Sequence, residues 1–172
     1  MILIGLGANL PSDVGEPRAT LEAALAELAR DGVRVVARSR WYRSAPVPRA
    51  DQPDYVNAVA LIETALNPGD LLALLHRVEQ EFGRLRGVPN AARTLDLDLL
   101  AYGNLVSEGG EGAPVLPHPR LHERAFVLLP LAEIAPDWRH PRLDRTAREL
   151  AAALPPGQDA RRSDLHRRNP AR

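Results

Sequence analysis

The segment Ala92–Gly103, ARTLDLDLLAYG, places two aspartates two residues apart inside a run otherwise built for burial. Side chains alternate along a strand, so Asp96 and Asp98 share one face while Leu95, Leu97 and Leu99 share the other. At ~3.3 Å of rise per residue the two aspartate Cα atoms lie about 6.6 Å apart. Aspartate is disfavoured in strands, and like charges on one face repel. Two arrangements answer that cost: a solvated face at a sheet edge, or a cation between the carboxylates. The surrounding apolar residues and Arg93 just upstream favour the cation, on a face turned toward a cleft. A hard divalent ion such as Mg2+ takes carboxylate oxygens and fills its remaining positions with phosphate oxygens and water.

The elements leading to this strand set the fold class. MILIGLGANL begins with an apolar run and ends in a Gly-rich turn, which reads as a first strand and a tight loop. EPRATLEAALAELARDG carries Leu21, Ala24, Leu25 and Leu28 at helical spacing, with Gly32 as its stop. VRVVARSRWYRS and DYVNAVALIET are β-branched and aromatic, and read as two strands joined by APVPRADQP. In NPGDLLALLHRVEQEFG, Asn67 suits the cap and Pro68 the first helical position. Leu71, Leu74, Leu75, Val78 and Phe82 form its apolar face. With the aspartate strand the order is βαββαβ, the pattern of a ferredoxin-like α+β sandwich. A hairpin near GNLVSEGG and one or two C-terminal helices complete a single domain over residues 1–154. Residues 155–172, polar, proline-bearing and basic, read as a loosely ordered tail.

Composition narrows the function. A chain of 172 residues, 45% hydrophobic, can bury one real core. Its formal net charge of zero argues against binding nucleic acid or a membrane surface through bulk charge. No apolar run approaches a membrane span, and no basic segment followed by an apolar core opens the chain. A cytoplasmic protein is expected. Without cysteine there is no thiolate nucleophile and no disulfide framework. All 22 basic residues are arginine. Phosphate must therefore be met by arginine, backbone N–H or metal, never by a P-loop lysine.

Three further stretches bear on the aspartate pair. GRLRGVPNAAR sets Arg84, Arg86 and Arg93 around a Gly/Pro/Ala loop ahead of the acidic strand, where they suit a polyphosphate or simply face solvent. LPHPRLHERAF offers His118, His122 and Arg124 in a proline-flanked loop, where a histidine is more often structural than functional. YRSAP and DQPDYVNA bring Tyr42, Ser44, Tyr55 and Asn57 near another loop, as core packing or as a reader of a flat heterocycle.

These residues resemble a known family. GLGANL, YRSAP, DQPDYVNA, RVEQEFGR, RTLDLDLL and LPHPRLHERAFVLLPLAEIAP stand in the order and spacing of 6-hydroxymethyl-7,8-dihydropterin pyrophosphokinase, from about residue 2 to 138. The resemblance implies a folate-pathway transferase that moves pyrophosphate from ATP to the pterin hydroxymethyl group and releases AMP. It implies a pair of Mg2+ ions on Asp96 and Asp98. Ser44, Ala45, Val47, Tyr55, Asn57 and Phe126 would line the pterin pocket, and Glu79, Arg86, Leu99, His118 and Arg124 would contact the nucleotide. Arg84 and Arg93 would lie on the catalytic loop; its stretch before the aspartate pair reads GVPNAAR here and lacks the tryptophan that many relatives carry. The implied partners are these two small molecules, with no nucleic acid, no membrane and a monomeric state. The competing classes are a metal-dependent phosphodiesterase or nucleotidyltransferase and a non-catalytic binding module.

Overall fold

The computed structural model describes residues 1–46, 48, 50–83 and 92–163. Its centre is β1 (Ile2–Ala8), which pairs antiparallel with β4 (Tyr55–Glu63) on one side and β5 (Asp96–Tyr102) on the other. The far side of β4 carries β2 (Arg34–Arg38) and then β3 (Tyr42–Ser44), both antiparallel to it. Two helices, α1 (Pro17–Arg30) and α2 (Pro68–Glu81), connect the strands where helical spacing of leucines predicts them. Asn67 caps α2, its Oδ1 accepting the Asp70 N–H at 2.8 Å.

Alternation along the strands divides the interior into two layers. Ile4 and Leu6 of β1, Ala58, Ala60 and Ile62 of β4, and Leu97 and Leu99 of β5 turn toward α1 and α2. There they meet Leu21, Leu28, Leu71 and Leu75, which are fully buried. Each such leucine contributes about 1.5–3 kcal/mol through burial. The opposite face holds Leu3, Val59, Leu100 and Ala101. It is covered by a short 3-10 turn (Leu121–Glu123), by α3 (Ala125–Ile134) and by α4 (Ala147–Ala152). That cover leaves Gly5, Gly7, Asn57, Asp96 and Asp98 lining a pocket at one end of the sheet. The small hairpin of β6 (Ser107–Gly110) and β7 (Ala113–Leu116) lies where GNLVSEGG predicts one.

Two expectations need correction. VRVVARSRWYRS is two strands, because Ser39 interrupts the ladder: its N–H donates to Val59 O at 2.9 Å while its Oγ accepts the Val59 N–H at 3.0 Å. The break turns Trp41 into the helix-covered core, with the Arg38 guanidinium 4.1 Å from its ring centroid. Tyr42 faces the other way and donates to Glu133 Oε2 of α3 at 2.5 Å. Burial, with Glu133 beside it, pushes the Tyr42 phenol up to about 12. Tyr42 is thus spent on packing, not on reading a ligand.

The second correction concerns the tail. Residues 160–162 form β8 (Ala160–Arg162), an antiparallel edge strand on β3. Leu154 packs against the second core. A segment with few apolar residues is ordered here through backbone pairing, which composition does not report. Residues 164–172 lie outside the described residues. Among the described residues, no helix is long and apolar enough to cross a membrane.

Candidate active site

The register of β1 builds the floor of the cleft. Gly7 stands opposite Asn57 on one side and Asp96 on the other, and Gly5 stands opposite Val59 and Asp98. Directly opposed residues share a face, so both carboxylates and the Asn57 amide lie over side-chain-free backbone. At Gly7 a Cβ would crowd the site: one placed there would lie 3.1 Å from Asn57 Oδ1 and push the amide aside by a few tenths of an ångström. Asn57 is buried and donates from Nδ2 to Ser44 Oγ of β3 at 2.7 Å. The pocket over this floor is lined further by Ala45, Pro46, Pro48, Gln52, Tyr55, Arg93, Arg120, Arg124, Phe126 and Val127.

The aspartates lie on one face as strand alternation predicts, with Leu97 and Leu99 on the other. Arg93 Nη1 sits 3.0 Å from Asp96 Oδ1. Asn9, buried at the end of β1, fixes the Arg93 backbone. Its Oδ1 accepts the Arg93 N–H at 2.8 Å, while its own N–H donates to Arg93 O at 3.0 Å. Asn9 Nδ2 also donates to Gln52 Oε1 and Pro53 O, at 3.2 and 3.1 Å. One amide thereby ties Arg93 to the loop on the opposite wall.

Arg124 enters from the start of α3, its Cζ 5.4 Å from the Phe126 ring centroid. Burial lowers its pKa, Arg120 adding to the shift while Asp98 and Asp96 oppose it. His118 is depressed to about 4, mainly by burial and then by Arg124, against an opposing pull from Asp96. It is neutral at pH 7. Its Nδ1 accepts the Arg120 N–H at 3.2 Å, which assigns the proton to Nε2 as a donor.

The expected residues divide into three groups. Ser44, Ala45, Tyr55, Asn57, Phe126, Arg93, Asp96, Asp98 and Arg124 come together in this pocket. Glu79, Leu99 and His118 are not among its lining. Leu99 points into the core beneath α1 and α2. Glu79, almost fully buried on α2, accepts the Leu97 N–H at 3.2 Å along the outer edge of β5. Val47, Arg84 and Arg86 lie outside the described residues. His122 turns away from the pocket and stacks edge-on with His140, ring centroids 5.6 Å apart.

Sequence reasoning missed Arg120, Gln52, Asn9 and the two glycines of β1. Arg120 lines the pocket and makes no ion pair with any described residue. Its signal was its position two residues after His118. Gly5 and Gly7, expected in a turn after the first strand, lie inside β1 instead, and glycine in a strand marks close approach of another group.

Residues 3–136 match the model of a family described as 7,8-dihydro-6-hydroxymethylpterin-pyrophosphokinase. The chain is 43% identical over 149 residues to the 2-amino-4-hydroxy-6-hydroxymethyldihydropteridine pyrophosphokinase of Synechocystis sp., covering 86% of this chain and 73% of that protein. Against the Pseudomonas aeruginosa protein of the same name it is 44% identical over 157 residues, covering 90% and 91%. Among solved structures it is similar to wild-type Plasmodium falciparum HPPK-DHPS, with a TM-score of 0.68 at 14% identity, over 88% of this chain and 40% of that chain. The chain therefore spans well under half of that solved protein, and at this identity the likeness speaks for the fold alone.

Proposed function

Because this chain belongs to the 7,8-dihydro-6-hydroxymethylpterin-pyrophosphokinase family, we infer that it transfers the pyrophosphoryl group of ATP to 6-hydroxymethyl-7,8-dihydropterin. The products are AMP and the pterin diphosphate, in folate biosynthesis. The observation that carries this reading at the level of chemistry is a single cleft lined by two unlike sets of residues, on the β4 and β5 sides of β1. Ser44, Tyr55, Asn57 and Phe126 offer hydrogen bonds and ring faces to a flat heterocycle. Beside them Arg93, Asp96, Asp98 and Arg124 offer both signs of charge to a metal-bound polyphosphate. The sheet order β5-β1-β4-β3, with β2 and β3 taken as one interrupted strand, supports the ferredoxin-like form of the fold.

The donor set suits Mg2+. Asp96 and Asp98 give two hard carboxylates over the glycines of β1. Among the described residues no cluster of three His, Cys, Asp or Glu side chains forms a closed cage. Two carboxylates with the other positions left to phosphate and water is the usual manner of holding Mg2+ beside a nucleotide. When bound, the metal neutralises phosphate charge and polarises the transferring group.

The chain's own residues supply positioning and electrostatics, which dominate phosphoryl-type transfer. Asn57, held by Ser44, orients the pterin amide edge, and Tyr55 and Phe126 hold its plane. The hydroxymethyl oxygen then bonds to the β-phosphorus of ATP as the bond from that phosphorus to the α,β-bridging oxygen breaks; AMP leaves with the bridging oxygen, and the hydroxyl proton passes to solvent. Arg93 and Arg124, preplaced beside the carboxylates, meet the charge that moves along this axis. Neutral His118 can donate from Nε2 to a phosphate or ribose oxygen without adding charge. A cytoplasmic, monomeric, Mg2+-dependent enzyme belongs to the same reading.

One assay tests it: the protein with ATP and Mg2+, with and without the hydroxymethyl-dihydropterin, reading AMP. AMP formed only with the pterin supports the transferase. ATP turnover without pterin would sink it in favour of a nucleotide hydrolase, and no turnover would leave a binding module.

A further inference from the structure

The start of α3 carries a local conflict. Arg124 is its N-terminal flanking residue, and arginine has no acceptor with which to cap the helix. The first helical N–H, at Ala125, would be left without an intrahelical partner. The structure meets that need from the C-terminal segment. Gln158 Oε1 accepts the Ala125 N–H at 2.8 Å, and Gln158 Nε2 donates to Glu123 O at 2.8 Å. The two bonds grip the backbone on both sides of Arg124. The next residue holds the opposite wall, since Asp159 O accepts the Ala45 N–H at 3.2 Å. A second cavity of about 220 Å³ separates these walls, bounded by Ala45, Phe126 and Gln158.

We propose that Gln158 is a positioning residue for the pyrophosphoryl-transfer site: by bonding the backbone on both sides of residue 124 it fixes the start of α3 and aims the Arg124 guanidinium at the nucleotide. The inference rests on the pterin pyrophosphokinase reading. Gln158 itself is exposed and does not line the main pocket. Its action passes through the backbone of Glu123 and Ala125. The β3–β8 pairing sets Ala160 opposite Ser44, so Gln158, two residues ahead of β8, reaches α3 from a fixed position.

The test uses the full chain as wild type, Gln158→Leu and Gln158→Glu. The leucine keeps bulk and deletes both bonds, while the glutamate keeps an acceptor for the Ala125 N–H. Steady-state KM for ATP, KM for pterin and kcat are read beside Tm and amide exchange at Ala125. Gln158→Leu should raise the ATP KM about tenfold and speed exchange at Ala125. The pterin KM should change less than threefold. Gln158→Glu should recover at least half of the ATP effect on a logarithmic scale. Should Gln158→Leu not fold, Gln158→Lys, which keeps only a donor, should show a higher ATP KM than Gln158→Glu. The reverse order overturns the proposal. So does an unchanged ATP KM in Gln158→Leu beside a lowered Tm, which would mark an ordinary structural bond. A wild type that forms no AMP with the pterin would overturn both readings, whereas a normal wild type beside an unaffected Gln158→Leu overturns only the positioning role.

Discussion

Replacing Arg93 with alanine separates ground-state binding from transition-state stabilisation. Its Nη1 lies 3.0 Å from Asp96 Oδ1, with side-chain exposures of 29% and 22%. Coulomb attraction at that distance is about 1.4 kcal/mol in bulk water and ~5.5 kcal/mol at an effective dielectric near 20. Desolvation and side-chain entropy offset most of it, leaving a net contribution of about 1 kcal/mol for a partly exposed pair. For a chain of this size that is a Tm loss of about 2–4 °C. The backbone bonds from residue 93 to Asn9 and Leu10 do not depend on the side chain, so the substitution deletes the guanidinium without releasing the strand. The kinetic cost is larger. Loss of one preorganised donor at a developing charge lowers kcat by ~10²–10³, equivalent to about 2.7–4 kcal/mol. Transition-state loss therefore exceeds the ground-state term, and ATP affinity in the binary complex should hardly move. Calorimetry with a non-reacting ATP analogue and Mg2+, beside single-turnover rates, measures the two separately. A large loss of affinity with an unchanged chemical step would refute the reasoning and make Arg93 a ground-state anchor.

Asp96→Asn and Asp98→Asn should each remove nearly all turnover; near wild-type activity in either contradicts the metal assignment. In the metal-free protein Asp98→Asn should be as stable as wild type or slightly more so, because one repelling charge is gone, whereas Asp96→Asn also gives up the Arg93 pair and should cost up to about 1 kcal/mol. Gly7→Ala places a Cβ 3.1 Å from Asn57 Oδ1, so the amide must shift by a few tenths of an ångström. The pterin KM should rise roughly tenfold with the ATP KM unchanged, and equal KM values would show that Asn57 does not read the ring. His118 has a folded pKa of about 4, below its unfolded value near 6.5, so the unfolded chain binds the extra proton in that window. The contribution of His118 to stability is full above pH 6.5, falls as pH drops toward 4, and levels off below. Urea unfolding at pH 7, 5.5 and 4.5 should show a flatter decline for His118→Gln than for wild type, and matching slopes would refute the burial of a neutral ring.

Sequence alone determined whatever depends on residues near one another along the chain. Leucines at helical spacing gave α1 and α2, Asn67 and Pro68 their cap and first turn, and strand alternation put Asp96 and Asp98 on one face. Those are consequences of backbone period and local hydrogen bonding, so a one-dimensional reading reaches them. The meaning of GLG in β1 was out of reach, because it lies in the register that sets Gly5 and Gly7 between Asp98 and Asp96 on one side and Val59 and Asn57 on the other. The same holds for Ser39, whose two bonds to Val59 break one expected strand into two. It holds most clearly for residues 155–163. Their composition predicts a loose tail, yet β3 offers them an open edge and α3 offers them an uncapped N–H. Backbone pairing and capping need only donors and acceptors at the right distance, and no hydropathy pattern records which distant segment will supply them. Tertiary structure decided that Gln158 and β8 would bond to α3 and β3 instead of to solvent.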